Sequence, residues 1–187
     1  MENRKVNLQF GIICLMILLA AVSRLIPHPM GFAPIAGMAL FGAAYYSKRY
    51  WAYIIPIAAM MLSDLALNLW VYSAYTAGHL SWMAYTYGSL ALIVLMGTFV
   101  LKKVRILNLA VSAVGASVIF YLVSNFGVWL SSGMYPHTWS GLEACYVAAL
   151  PFFRNGLAGD LVYTAVLFGA FELLRYKFPA LRVTGAS

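Results

Sequence analysis

Charge is what this chain lacks. Only 9% of its 187 residues are Asp, Glu, Lys or Arg, against about a quarter in a soluble domain. Five acidic residues and three histidines leave no polar half from which a water-facing domain could be built. Cysteine is scarce too. Cys14 lies inside the first apolar run and Cys145 near the opposite face, too far apart to bridge, so a disulfide framework is excluded. No phosphate-binding glycine loop, HExxH or GxSxG occurs, which removes an ATP engine and the familiar soluble hydrolases. The net charge of +7 does not point to nucleic acid, because the basic residues are not gathered on one polar segment.

What is present is hydrophobic: 64% of residues, with a mean hydropathy of +0.85. This composition predicts an all-α integral membrane protein, one transmembrane domain over residues 1–187. Six spans can be drawn: Leu8–Leu25, Phe32–Ser47, Trp51–Tyr72, Met83–Leu101, Ile106–Ser131 and Asn155–Tyr176. The start imitates a signal peptide, with Arg4 and Lys5, an apolar run and then LAAVS. A run of about 18 residues is long enough to span, however, and its removal would spoil the charge alternation of all that follows.

That alternation sets the orientation. Arg4, Lys5, Lys48, Arg49, Lys102, Lys103, Arg105, Arg175, Lys177 and Arg182 fall on one side of the six spans, and only Arg24 and Arg154 on the other. The positive-inside rule therefore places both termini in the cytoplasm. The outer connections are Ile26–Gly31, Ser73–Trp82 and Ser132–Glu143; they carry turn-forming Pro and Gly, aromatics, and the histidines His28, His79 and His137. Loops presented by a rigid scaffold often carry function.

Helix rise converts position into depth. Asp64 and Asn68 stand one turn apart on one face of the third span, Asn125 near the top of the fifth, and Asp160 a few turns below Arg154 and Asn155 in the sixth. All lie in the outer half. Glu172 lies at the inner end, within reach of Arg175 and Tyr176. A carboxylate near mid-bilayer costs about 2.5–3.5 kcal/mol, so Asp64 and Asp160 should face the bundle interior. Two readings stand for them. In one, each pairs with Arg24 or Arg154 and locks helices together; in the other, they line a pocket. Trp70, Trp82, Trp129 and Trp139 gather at the outer boundary, where aromatics form belts, and Trp129 and Trp139 suit stacking walls. The histidines match no known metal spacing, so no metal or cofactor is assigned. The candidate substrate-binding set is Asp64, Asn68, His79, Asn125, Trp129, His137, Trp139, Arg154, Asn155 and Asp160, with no catalytic residue.

Four blocks carry a resemblance: SRLIPHPMGFAPIAGMALFGAAYY (Ser23–Tyr46), LSDL (Leu62–Leu65), SNFGVWLSSGMYP (Ser124–Pro136) and ACYVAALPFFRNGLAGDLVYT (Ala144–Thr164). The chain resembles an uncharacterised bacterial family of six-helix proteins assigned to transport. That family is remotely similar to the substrate-binding S components of energy-coupling-factor (ECF) vitamin transporters. The resemblance implies an ECF S-component-like bundle in the bacterial inner membrane, with a vitamin-like molecule or cofactor precursor bound in an outward pocket under the first, third and fifth loops. It also implies a transmembrane coupling subunit with ATPases, docked on small first-helix residues, here Ala20 and Ala21. A corrinoid would find an axial ligand in His79 or Cys145. Two rival readings remain: a proton- or cation-coupled secondary transporter using Asp64 and Asp160, and an intramembrane enzyme pairing Cys145 with His137.

Overall fold

A computed structural model of the chain describes residues 2–70 and 79–181, except the side chains of residues 2–5, 68, 70, 79–82 and 180. Six helices follow one another: α1 Glu2–Ser23, α2 Ile35–Tyr45, α3 Arg49–Trp70, α4 His79–Val100, α5 Ile106–Ser131 and α6 Trp139–Lys177. A 3-10 turn, Pro179–Leu181, closes the described chain and packs on α1. No strand occurs among the described residues. All but α2 are long and apolar enough to cross a membrane.

The exception is the second span. Phe32–Ser47 was expected to be helical throughout, but the helix covers only 11 residues, about 16 Å or half a hydrocarbon layer. Pro34 sits at its N-cap and the backbone turns extended at Tyr46, which limits it at both ends. Short as it is, α2 is the centre of the molecule. Ala36 to Gly42 are buried without interruption, as expected of a helix apolar on every side, and α2 touches each of the other five helices. Its small residues make this possible. A Cβ at Gly37 would stand 3.1 Å from the Tyr163 Cβ, and one at Gly42 would stand 3.0 Å from Pro56. At its far end Phe41 meets Phe168 and Phe171 edge-on, both at 5.4 Å between ring centres.

Contacts along the helices fix their directions. Phe10 meets Trp51 and Arg24 meets Asp64, so α1 and α3 are parallel. Ala36 meets Asp160 and Tyr45 meets Glu172, so α2 and α6 are parallel. Met96 lies against Gly115 and Tyr85 against Gly127, so α4 and α5 are antiparallel. Lys48, Arg49, Lys102, Lys103 and Arg105 thus share one end of the bundle, and Arg24 and Arg154 stand toward the other. In α1 the buried residues are Ile13, Ile17, Ala20 and Ala21. The two alanines face the bundle, so a partner docking on α1 would meet Leu15, Leu19 and Val22 instead.

The last span departs most from expectation. In place of a loop to Glu143 and a helix from Asn155, α6 runs unbroken for 39 residues, about 58 Å. Thr138 starts it, its Oγ1 accepting from the Gly141 N–H at 3.2 Å, a side-chain N-cap. Pro151 lies inside the helix, where it removes one backbone hydrogen bond without ending it. The early turns of α6 lie along the end of α5. Tyr121 donates to the Tyr146 carbonyl and Tyr146 donates to that of Leu122, each at 2.7 Å.

Close packing of α4 on α5 gives a first prediction. A methyl added at Gly127 would overlap the Tyr85 ring, whereas one at Gly88 meets nothing within 4 Å. Gly127→Ala should lower stability by about 1–3 kcal/mol. Gly88→Ala should raise it by about 0.5–1 kcal/mol. Thermal unfolding in detergent reads both, and equal midpoints would mean that Tyr85 yields freely.

Candidate functional site

The start of α2 is buried, and a helix start leaves N–H groups without intrahelical partners. Pro34 offers no side-chain acceptor. The missing oxygen comes from α6. Asp160 is 6% exposed; its Oδ1 accepts from the Ala36 N–H at 3.2 Å and its Oδ2 from the Ser117 hydroxyl of α5 at 2.6 Å. The carboxylate also lies at the positive end of the α2 dipole. Gly159 allows the approach, since a Cβ there would stand 3.0 Å from the Ala33 nitrogen. Asp160 is therefore held by a helix start and a hydroxyl, not by the Arg154 expected as its partner. Arg154 is exposed, one turn and a half away along α6.

Beside Asp160 opens a cavity of about 190 Å³. One wall is a single face of α5 carrying Ser117, Phe120, Tyr121, Ser124 and Asn125, and the opposite wall is α6 from Ala149 to Asp160. Gly31, Ala33 and Ile35 complete the lining. Gly31 takes φ +84°, and a Cβ there would approach the Phe152 carbonyl to 2.8 Å, so both backbone shape and space demand glycine. Asn155 secures this turn by donating to the Met30 carbonyl at 2.9 Å. Phe120, Tyr121, Phe152 and Phe153 supply ring surface, and Ser117, Ser124, Asn125 and Asp160 supply polar atoms. A mostly apolar hollow with a few converging polar groups is the usual form of a small-molecule site.

Of the residues singled out in the sequence, Asn125 and Asp160 meet on this cavity, and Asn155 supports its rim. Asp64, Trp129, His137, Trp139 and Arg154 do not line it. Asp64, expected as a possible companion of Asp160, belongs to a separate network. Its Oδ1 pairs with Arg24 Nη2 at 2.7 Å and its Oδ2 accepts from Tyr87 at 2.7 Å. Arg24 also reaches Ser63 and, at 3.5 Å, the Met60 carbonyl. Arg24 follows α1 directly and ties it to α3, and Tyr87 adds α4. The pairing expected for the two aspartates thus holds for Asp64 alone. Trp129 donates its indole N–H to the Pro136 carbonyl at 3.0 Å and packs against Phe126 and His137, bracing the 132–138 turn rather than a ligand. Trp139 is 86% exposed. The side chains of Asn68 and His79, and most of the Ser73–Trp82 connection, lie outside the described residues. Cys145 directs its thiol to the Asn125 carbonyl at 3.5 Å, and Cys14 pairs with the Tyr46 hydroxyl at 3.1 Å. Glu172 meets Arg175 at 2.8 Å, as its spacing indicated, and accepts from Tyr45 at 2.6 Å. No group of three metal-binding side chains occurs among the described residues.

Sequence reasoning missed Ser117, Ser124 and the 31–35 backbone. Spacing offered one signal: positions 117, 120, 121, 124 and 125 recur on one helical face. Hydroxyls in an apolar run, however, more often satisfy their own backbone, as Ser124 does with the Phe120 carbonyl at 2.6 Å.

Comparison with known proteins gives a family and no activity. Residues 4–181 match a family of unknown function, DUF6580. The chain belongs to that family. No curated protein and no solved structure matches it.

The Arg24–Asp64 pair gives a second prediction, since both side chains are largely buried, at 11% and 17% exposure. Removing one partner strands the other, and Asp64→Leu should cost about 3–5 kcal/mol. The double variant Arg24→Leu with Asp64→Leu should lose much less. A double-mutant cycle from unfolding midpoints in detergent checks this, and additive losses would show that the pair is not coupled.

Proposed function

We propose that this DUF6580 member is a multi-pass membrane protein that takes up a small molecule through the Asp160 cavity. One observation carries the reading: a hollow of about 190 Å³, floored by a buried carboxylate, stands away from the bundle end that bears the basic loops. By the positive-inside rule the basic end and both termini are cytoplasmic, so the cavity lies toward the outside of the inner membrane. The guest enters near the 26–31 turn, stacks between the α5 and α6 rings, and is oriented by Ser124, Asn125 and Asp160. The volume suits a compact vitamin-like molecule or cofactor precursor and is far too small for a corrinoid. The remote resemblance to ECF S components supports uptake as the purpose. Without an ATP-binding motif of its own, the chain would draw on a coupling subunit with ATPases or on an ion gradient.

The gradient is a second reading with its own observation. Asp160 has no basic partner among the described residues, whereas Asp64 is neutralised by Arg24. If a proton or cation is coupled to transport through Asp64 and Asp160, Asp160 is the one of the two with no cation already beside it. As for the pair named in the enzyme reading, the Cys145 thiol meets the Asn125 carbonyl and His137 packs against Trp129.

Native mass spectrometry of the purified protein tests the first reading. A co-purifying small molecule is expected on the wild type. Gly156→Leu fills the cavity, since a Cβ there would meet the Gly31 carbonyl oxygen at an ordinary 3.5 Å, and should abolish retention without lowering the unfolding midpoint. Asp160→Asn keeps an acceptor for Ala36 but loses the charge; retention should fall at least about ten-fold, equivalent to about 1.4 kcal/mol. Equal retention in wild type and Gly156→Leu would overturn the assignment of the cavity.

A further inference from the structure

A second hollow, larger than the first at about 430 Å³, lies at the basic end of the bundle. It is a groove between the first turns of α5 and the later turns of α6, walled by Ile106, Leu109, Ala113, Leu161, Ala165 and Phe168. Ile106 is 88% exposed, so an apolar slot opens on the flank of the protein.

Charge gathers beside it. At its mouth Val104 lines the groove, flanked in the chain by Lys102, Lys103 and Arg105, all exposed; the Lys102 ammonium lies 6.0 Å from the centre of the Phe99 ring. Glu172 also lines the groove, but Arg175 at 2.8 Å and the Tyr45 hydroxyl at 2.6 Å already answer that carboxylate. The chain beside the mouth is therefore cationic in balance.

We infer that this groove binds an anionic phospholipid. The phosphate meets the basic link from Lys102 to Arg105, and one acyl chain lies between α5 and α6. Basic pockets between helices on the cytoplasmic side are suited to such headgroups, and the apolar walls match a fatty chain. The inference requires the chain to lie in a bilayer and is independent of what occupies the Asp160 cavity.

The test uses the whole protein in detergent with equimolar dioleoyl phosphatidylglycerol and dioleoyl phosphatidylcholine, and native mass spectrometry counts each bound species. Wild type should retain the anionic lipid in excess. Lys103→Gln should cut that excess about five-fold, the effect of one cation near an anionic surface. Lys102→Gln, Lys103→Gln and Arg105→Gln together should bring the two lipids to parity. Ala165→Phe, a change on an exposed groove wall, should reduce both. Lys48→Gln with Arg49→Gln, at the same end of the bundle, should leave the ratio unchanged. Parity in the wild type, an excess that survives the triple change, or an equal loss in the Lys48/Arg49 variant would overturn the site. So would a co-purifying polypeptide released by Ala165→Phe, which would assign the groove to a partner helix.

Discussion

A helix that begins inside a protein must find acceptors for its first N–H groups, and here one carboxylate from another helix meets that need. Asp160 accepts from Ala36 across the α2–α6 contact. A carboxylate on a helix N-terminus is a charge-assisted bond strengthened by the dipole, and the dry surroundings raise the penalty for losing it. The arrangement of the bundle depends on this, because α2 is the helix around which the other five pack. Gly37 and Gly159 bring the α2 and α6 backbones close enough for the bond to form. The same carboxylate is a wall of the cavity, so a guest that engages it competes with Ala36 for its oxygen.

The other buried charge is handled separately. Arg24, Asp64, Ser63 and Tyr87 make a closed set joining three helices. Each charge in it meets an opposite charge or a hydroxyl, which is how buried ions become tolerable. Asp160 differs in having only uncharged donors. That contrast separates the two aspartates: the first is a fastening, the second stands beside open space.

Much of the architecture was legible in composition and charge. Helix content, the interior placement of both aspartates and the bounds of α5, Ile106–Ser131, followed from hydropathy and the cost of lipid-facing carboxylates. The polar gathering near Asn125 and Asp160 was legible too, but not its membership. Trp139 and Arg154 share a stretch of sequence with them yet stand outside the cavity, because α6 begins at Trp139 and carries both around and along a helix, while His137 precedes it and packs against Trp129. The sixth span reads from Asn155 in the sequence, whereas the helix starts at Trp139 and passes through Pro151, its early turns packed along α5.

By itself the sequence determined what lipid and water dictate through composition: an apolar helical chain with its positive charge apportioned between two faces. Only the tertiary structure decided which polar atoms face one another. Asp64 and Asp160 are alike in residue type and depth, and nothing local tells them apart. Arg24 arrives beside one because α1 and α3 run parallel, and the start of α2 arrives beside the other because glycines let α6 close on it. Those meetings are between residues 40 and 124 positions apart in the chain, a separation at which local pattern carries no information about contact.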